Sequence, residues 1–231
     1  MRKNNQYYIR KTHRWLGVII GVQFLLWTIS GLYFSWTDLD EIHGDHFLNP
    51  SKGTVNLKSM NIPDSIEVSK LSLRIIDDKP FLWVNNSMLI NCETGKEKKG
   101  IDKEEAVKIA RAYVKSDFTI KSTELIKKVG PHHEYRGRPL PAWLIKFDGS
   151  EELTAYVSER DGSFQRVRHQ SWRWFDFLWM FHTMDYQGRD DFNNLLLRTF
   201  SLFGLFTVAS GFTLFFITGK KKRKKNNNTK N

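Results

Sequence analysis

Leu16 to Trp36 reads LGVIIGVQFLLWTISGLYFSW, twenty-one residues without a formal charge, and its length decides what kind of chain this is. At about 1.5 Å per residue such a helix spans a hydrocarbon core of about 30 Å. It also pairs all its backbone groups internally, which lipid demands. A second uncharged run, Thr199 to Thr218, TFSLFGLFTVASGFTLFFIT, meets the same requirement. A basic leader precedes the first run, as in a signal peptide. A signal core, however, is about 7 to 15 residues long and ends in small residues. This run is longer and passes into YFSWTDLD, so it is expected to remain as an anchor.

Charge converts two spans into a topology. The leader carries Arg2, Lys3, Arg10, Lys11 and Arg14, and the segment after the second run carries Lys220 to Lys225 and Lys230. Those twelve cations exceed the formal net charge of +11, so residues 37 to 198 sum to −1. The positive-inside rule puts both basic ends (1–15 and 219–231) in the cytoplasm and the middle outside. With no nucleic-acid module in the chain, these ends read as anchors drawn to anionic inner-membrane lipid, not as a nucleic-acid arm.

The expected order is a first span at 16–36, a connector at 37–60, a folded region at 61–168, an aromatic interfacial segment at 169–198 and a second span at 199–218. The connector is polar and turn-rich. In the folded region IEVSKLSLRII alternates, PFLWVNNSMLIN reads as a hairpin around Asn-Asn, and the period then changes. IDKEEAVKIARAYVK puts Ala106, Ile109, Ala110 and Tyr113 on one helical stripe, with Asp102 and Glu105 spaced as a capping box. The sheet resumes with TIKSTELIKKV and AWLIKFDG, and two further strands flank the turn pair Asp161-Gly162, with Leu153, Ala155 and Val157 facing the helix. The fold class is therefore α+β, an extracytoplasmic domain inserted between two transmembrane helices.

Few residues suggest chemistry. The lone Cys92 excludes an intramolecular disulfide and reads as a buried strand residue. His43 and His46 lie near Asp40, Glu41 and Asp45 but in loop-like sequence. The adjacent His132 and His133 point apart on an extended chain and sit in the Pro/Gly-rich stretch GPHHEYRGRPLP, a solvated or partner-binding loop. His169 would face the membrane interface. Tyr33, Trp36, Trp172, Trp174 and Trp179 suit a membrane belt. His182, in MFHTMDYQGRDDF, fits either an interfacial belt or one side of a haem pocket. No hydrolase elbow, zinc-protease helix, phosphate loop or dinucleotide fingerprint is present. No metal site is assigned.

RKTHRWLGVIIG with SGLY, DKEEAVKIARAYV, AWLIKFDGSEELTAYVSERDGSF and FHTMDYQGRDDF with GLFTVASGF together resemble the PepSY-associated transmembrane family over residues 10 to 219. The resemblance implies a PepSY-like α+β domain in the periplasm of a bacterial inner-membrane protein. Its larger relatives include iron-uptake-associated proteins and reductases for iron-siderophore complexes, some holding haem through histidines. Carried onto this chain, those histidines are His13 and His182, ligands of haem b. Gly17, Gly21, Gly31, Gly204 and Gly211 mark the corresponding helix faces. A haem would also want cationic partners for its propionates, for which Arg189 and Arg198 are candidates, although both could equally pair with Asp185, Asp190 or lipid phosphate. The two histidines stand near opposite membrane faces, so one copy cannot fill both axial positions of one iron with them. The expected function is an accessory or partner-binding subunit, its partner a membrane or periplasmic protein or a further copy of the chain. The alternative is a haem-b electron-transfer subunit linked to iron uptake or siderophore reduction.

Overall fold

The computed structural model describes residues 5–50 and 67–227, with side chains over 7–50 and 67–217. The chain divides into two compact units, Met1–Trp36 with Asp176–Asn231, and Thr37–Phe175.

The first unit is helical. It holds α1 (Asn5–Trp36), the last turns of α4 (Gln170–Thr183) and α5 (Leu195–Asn227). Tyr7–Trp36 and Leu195–Ile217 are long and apolar enough to cross a membrane. The two helices run antiparallel, since His13 meets Ser210 while Phe24 lies against Gly204. Gly204 permits that approach, because a Cβ there would lie 2.9 Å from the Phe24 ring. Close packing across small residues is how helices associate where no hydrophobic driving force separates them from lipid. The large side chains Trp15, Val18, Val22, Leu25, Ile29 and Leu32 are left exposed on α1, whereas Ile20, Gln23 and Ser30 are buried. The helix begins well before the apolar run, and Arg10, Lys11 and Arg14 are exposed along it. Long basic side chains of this kind can keep their charges in water where a helix enters lipid.

Between α4 and α5 the chain folds around one carboxylate. Asp185 is buried and accepts from the backbone N–H groups of Gln187, Gly188, Asp190 and Asp191 at 3.2, 3.0, 3.0 and 2.9 Å. Burial pushes its carboxyl up, but those four donors outweigh it and the net pKa is lowered. Asn194 then caps α5 by accepting from the Leu197 N–H at 2.8 Å.

The second unit contains two four-stranded antiparallel meanders, where the sequence suggested one resuming sheet. The first runs β1 (Leu71–Ile76), β2 (Lys79–Val84), β3 (Met88–Asn91), β4 (Glu97–Lys98). The second runs β5 (Ile120–Ile126), β6 (Ala142–Phe147), β7 (Thr154–Ser158), β8 (Phe164–Arg168). Between them comes α3 (Lys103–Tyr113), whose capping box is formed: Asp102 accepts from Glu105 N–H, and Glu105 accepts from Asp102 N–H, both at 2.9 Å. The expected stripe is buried at Ala106, Ile109 and Ala110, and Tyr113 stacks on Phe164 at 4.5 Å. One core joins this stripe to Phe81, Trp83 and Leu89 of the first sheet and to Ile145, Ala155, Val157 and Val167 of the second, with Leu153 beside them. Both predicted hairpins form. Asn85 and Asn86 take positive φ between β2 and β3, and Asp161-Gly162 turns between β7 and β8. Cys92 is buried just past β3.

Three expectations are corrected. The described part of the connector is folded: α2 (Leu39–His43), capped by Asp38, is followed by Gly44 at φ 86° and a 3-10 turn at Asp45–Phe47. Ile42 and Phe47 are buried, and Leu48 bridges to Val114. Two apolar anchors five residues apart in a polar segment are too sparse to show a period. Residues 51–60 lie outside the described residues. The loop at 130–141 is likewise anchored, with Tyr135 fully buried and stacked on Tyr156 at 4.5 Å. Together with Ala142 and Leu144 these rings make a small second core on the β6 face opposite the main one. Trp172 is buried as well, beneath the Arg168 guanidinium at 3.9 Å, and does not belong to a membrane belt.

Candidate functional site

In the helical unit two histidines are each held by a serine of a neighbouring helix. His13 Nδ1 lies 2.7 Å from Ser210 Oγ. His182 Nδ1 lies 2.8 Å from Ser30 Oγ. A glycine flanks each ring: a Cβ on Gly211 would stand 3.3 Å from His13 Cε1, and one on Gly31 would stand 4.0 Å from His182 Cε1. Gly17 and Gly21, on the same face of α1 as His13, have nothing within 4 Å.

His182 is fixed from several sides. Gln23 Nε2 donates to Phe181 O at 3.1 Å, and Trp27 Nε1 donates to His182 O at 2.9 Å. Two side chains of α1 thus satisfy carbonyls that the end of α4 leaves without intrahelical partners. Trp179 lies parallel to the imidazole at 6.3 Å between centroids, and Phe34 meets it edge-on at 5.5 Å. Gln23 lies mid-way along the apolar run, and its bond to Phe181 O gives the buried amide a partner.

His13 and Ser30 both lie on α1, seventeen residues apart. At about 1.5 Å per residue the two imidazoles are therefore separated by about 25 Å along that helix. They cannot meet one iron within one copy of the chain.

Of the two arginines, Arg189 is committed. Its Nη1 donates to Asp176 at 2.6 Å, forming a largely buried ion pair. Arg198 is exposed and reaches only Asn193, at 3.5 Å. The charge Arg189 would bring to a propionate is already engaged, so Arg198 is the freer of the two.

The sheet unit places its histidines differently. His169 is buried, not interfacial, with Nε2 3.1 Å from both the Glu41 and Ile42 carbonyls. Those carbonyls can only accept, so Nε2 carries the proton. The unprotonated Nδ1 has no hydrogen-bond partner and lies 3.9 Å from a Glu151 oxygen. Burial lowers the His169 pKa, and the neighbouring His46 lowers it further, against the raising influence of the two carbonyls and Glu151. His133 Nδ1 accepts from Tyr135 N–H at 3.0 Å, and His132 is exposed. Among the described residues no group of three or more His, Cys, Asp or Glu is disposed to hold a metal ion.

A charged network that the sequence did not signal ties the 130–141 loop down. Glu134 pairs with Arg173 at 2.6 Å and accepts from the Tyr156 hydroxyl at 2.6 Å. Its members are distant in sequence and carry no local motif.

A family model described as the PepSY-associated TM region matches residues 10–231. The chain belongs to that family. With its two apolar helices, it is a membrane protein of PepSY type. Neither the curated proteins nor the solved structures give a match.

Proposed function

We propose that this PepSY-family chain is an accessory subunit of the bacterial inner membrane, anchored by α1 and α5, whose sheet unit works in the periplasm by contacting a protein partner. The observation that carries this reading is a sheet unit with its own core inserted between two apolar helices whose far ends are both basic. Anionic lipid would hold those ends at the cytoplasmic face. The contact surface we favour is a sheet edge, since β1 exposes Leu71 and Leu73 and β5 exposes Leu125. The 130–141 loop offers a fixed surface for the same purpose. The test is Lys128→Cys, an exposed site, labelled in intact cells by a membrane-impermeant maleimide, with buried Cys92 as the slow background. Labelling without permeabilisation supports the topology. A requirement for inner-membrane permeabilisation refutes it. Photo-crosslinking from Leu71 and Leu125 then tests the partner surface.

A second reading is favoured by the paired His–Ser geometry: a haem-b electron-transfer subunit linked to iron uptake or siderophore reduction. Imidazole nitrogen is the donor that a haem iron takes as axial ligand, and haem b would supply one-electron exchange. His13 and His182 would each offer one ligand to a different haem. A second axial position would come from another copy, another subunit or a small ligand. Arg198 would face a propionate, and Arg189 only if it released Asp176. Oxidised and reduced visible spectra of the native complex, with His13→Ala and His182→Ala, test this directly. Haem whose spectrum ignores both substitutions refutes the ligand assignment.

A further inference from the structure

We propose that Ser30 and Ser210 set the tautomers of His182 and His13, so that each imidazole carries its proton on Nδ1 and presents a bare Nε2 lone pair. Only the identity of what meets Nε2 rests on the haem reading above.

The argument is a count of protons and lone pairs. A serine hydroxyl has one hydrogen. Ser30 Oγ lies 2.7 Å from Leu26 O and 3.2 Å from Trp27 O. Carbonyl oxygens only accept, so the Ser30 hydrogen points into its own helix. The oxygen facing His182 Nδ1 at 2.8 Å can then only accept, and Nδ1 must donate. Ser210 repeats this arrangement: its Oγ lies 2.8 Å from Thr207 O and 2.7 Å from His13 Nδ1. In both cases a polarised chain runs from Nδ1–H to serine oxygen to helix carbonyl, each bond reinforcing the next. Neither Nε2 has a hydrogen-bond partner among the described residues.

The consequence is a ligand class. A bare Nε2 attracts an electron-pair acceptor, a metal centre or a proton, and repels carboxylate or phosphate oxygens. Fixing the second nitrogen of a ligating histidine through its other ring atom is a common means of orienting the donor. Two such donors, about 25 Å apart along α1, make the helical unit two single-imidazole sites. The serines are positioning residues, since neither touches what the imidazole would bind.

The test uses the full chain, 15N-labelled at histidine, in detergent micelles without added haem. Nitrogen NMR distinguishes Nδ1–H from Nε2–H imidazole. Both His13 and His182 are expected as Nδ1–H tautomers. Ser30→Ala should change the His182 tautomer ratio about five-fold toward Nε2–H, and Ser210→Ala should do so for His13, the weight of about one hydrogen bond. Each substitution should leave the other histidine alone, and Ser30→Thr or Ser210→Thr, which retains the hydroxyl, should restore the wild-type pattern. Wild-type rings found as Nε2–H, or ratios indifferent to both alanine variants, overturn the proposal. Haemin titrated into the same samples separates the two readings. No Soret change counts against the haem reading, while the unliganded spectra alone judge the serines.

Discussion

Gly44→Ala tests the folded connector most sharply. Gly44 ends α2 at φ 86°, and its N–H donates to the Asp40 and Glu41 carbonyls at 3.1 and 3.0 Å. A non-glycine residue in the left-handed region costs about 1–2 kcal/mol. A Cβ would also stand 2.6 Å from Val167 Cγ2, with His169 Cδ2 and Phe47 Cδ2 each at 3.5 Å. Val167 is a β-branched side chain in the main core, 1% exposed, so it cannot swing aside. Overpacking of this kind costs about 1–3 kcal/mol. Together the substitution should destabilise the sheet unit by about 2–5 kcal/mol. Cys92, the chain's single cysteine, is buried in that unit and serves as the reporter. At equilibrium opening, its labelling rate by a thiol reagent should rise about 30-fold at the least and several thousand-fold at the most, at tenfold per 1.4 kcal/mol. Gly130→Ala, with nothing within 4 Å, is the control and should leave the rate unchanged. Adding Val167→Ala should relieve the clash and make the pair less than additive. A Gly44→Ala rate within two-fold of wild type would mean that α2 is not docked on β8, and the reasoning fails.

Other outcomes follow from the same unit. Its stability should fall as pH drops below about 6.5, because the unfolded chain protonates His169 at the ordinary value while the folded chain, whose His169 pKa is lowered, resists it. His169→Gln should flatten that pH dependence in thermal unfolding, with His46 and Glu151 the titratable groups nearest the ring. Asp161 acts in a separate window. Burial raises its pKa, but hydrogen bonds from Ser158, Ser163 and Arg74 lower it overall, so its contribution is lost only below about pH 4. Asp102→Ala should cost about 1 kcal/mol by removing the α3 cap, read as a lowered denaturation midpoint. Glu134→Ala should cost about 2 kcal/mol, because Arg173 and the buried Tyr156 hydroxyl lose their shared partner, while Tyr156→Phe should cost less.

Much of the fold was legible because its signals are local. Run length gave the apolar helices, the 3.6-residue stripe with Asp102 and Glu105 gave α3, and Asn-Asn and Asp-Gly gave two hairpins. What failed was long-range. Nothing in LDEIHGDHF announces that Ile42 and Phe47 find partners more than sixty residues away. Tyr135 sits in loop-like sequence, and the stacking on Tyr156 together with the Glu134–Arg173 pair makes the loop a strap. The candidate site divides in the same way. His182 stood out by its aromatic setting and His13 through resemblance, but Ser30 and Ser210 did not, since serine in an apolar helix usually bonds its own backbone, as both do here. Their second role appears only when a neighbouring helix brings an imidazole to the free side of the oxygen.

The bond from His169 to the carbonyls of residues 41 and 42 brings together the strands of chain that enter and leave the sheet unit. A module whose two ends emerge side by side can be exchanged or excised without altering the gap its flanking helices must close. The sheet unit can therefore be refitted while the apolar helices stay untouched, and a circularly permuted version joined across that clasp should retain the native core.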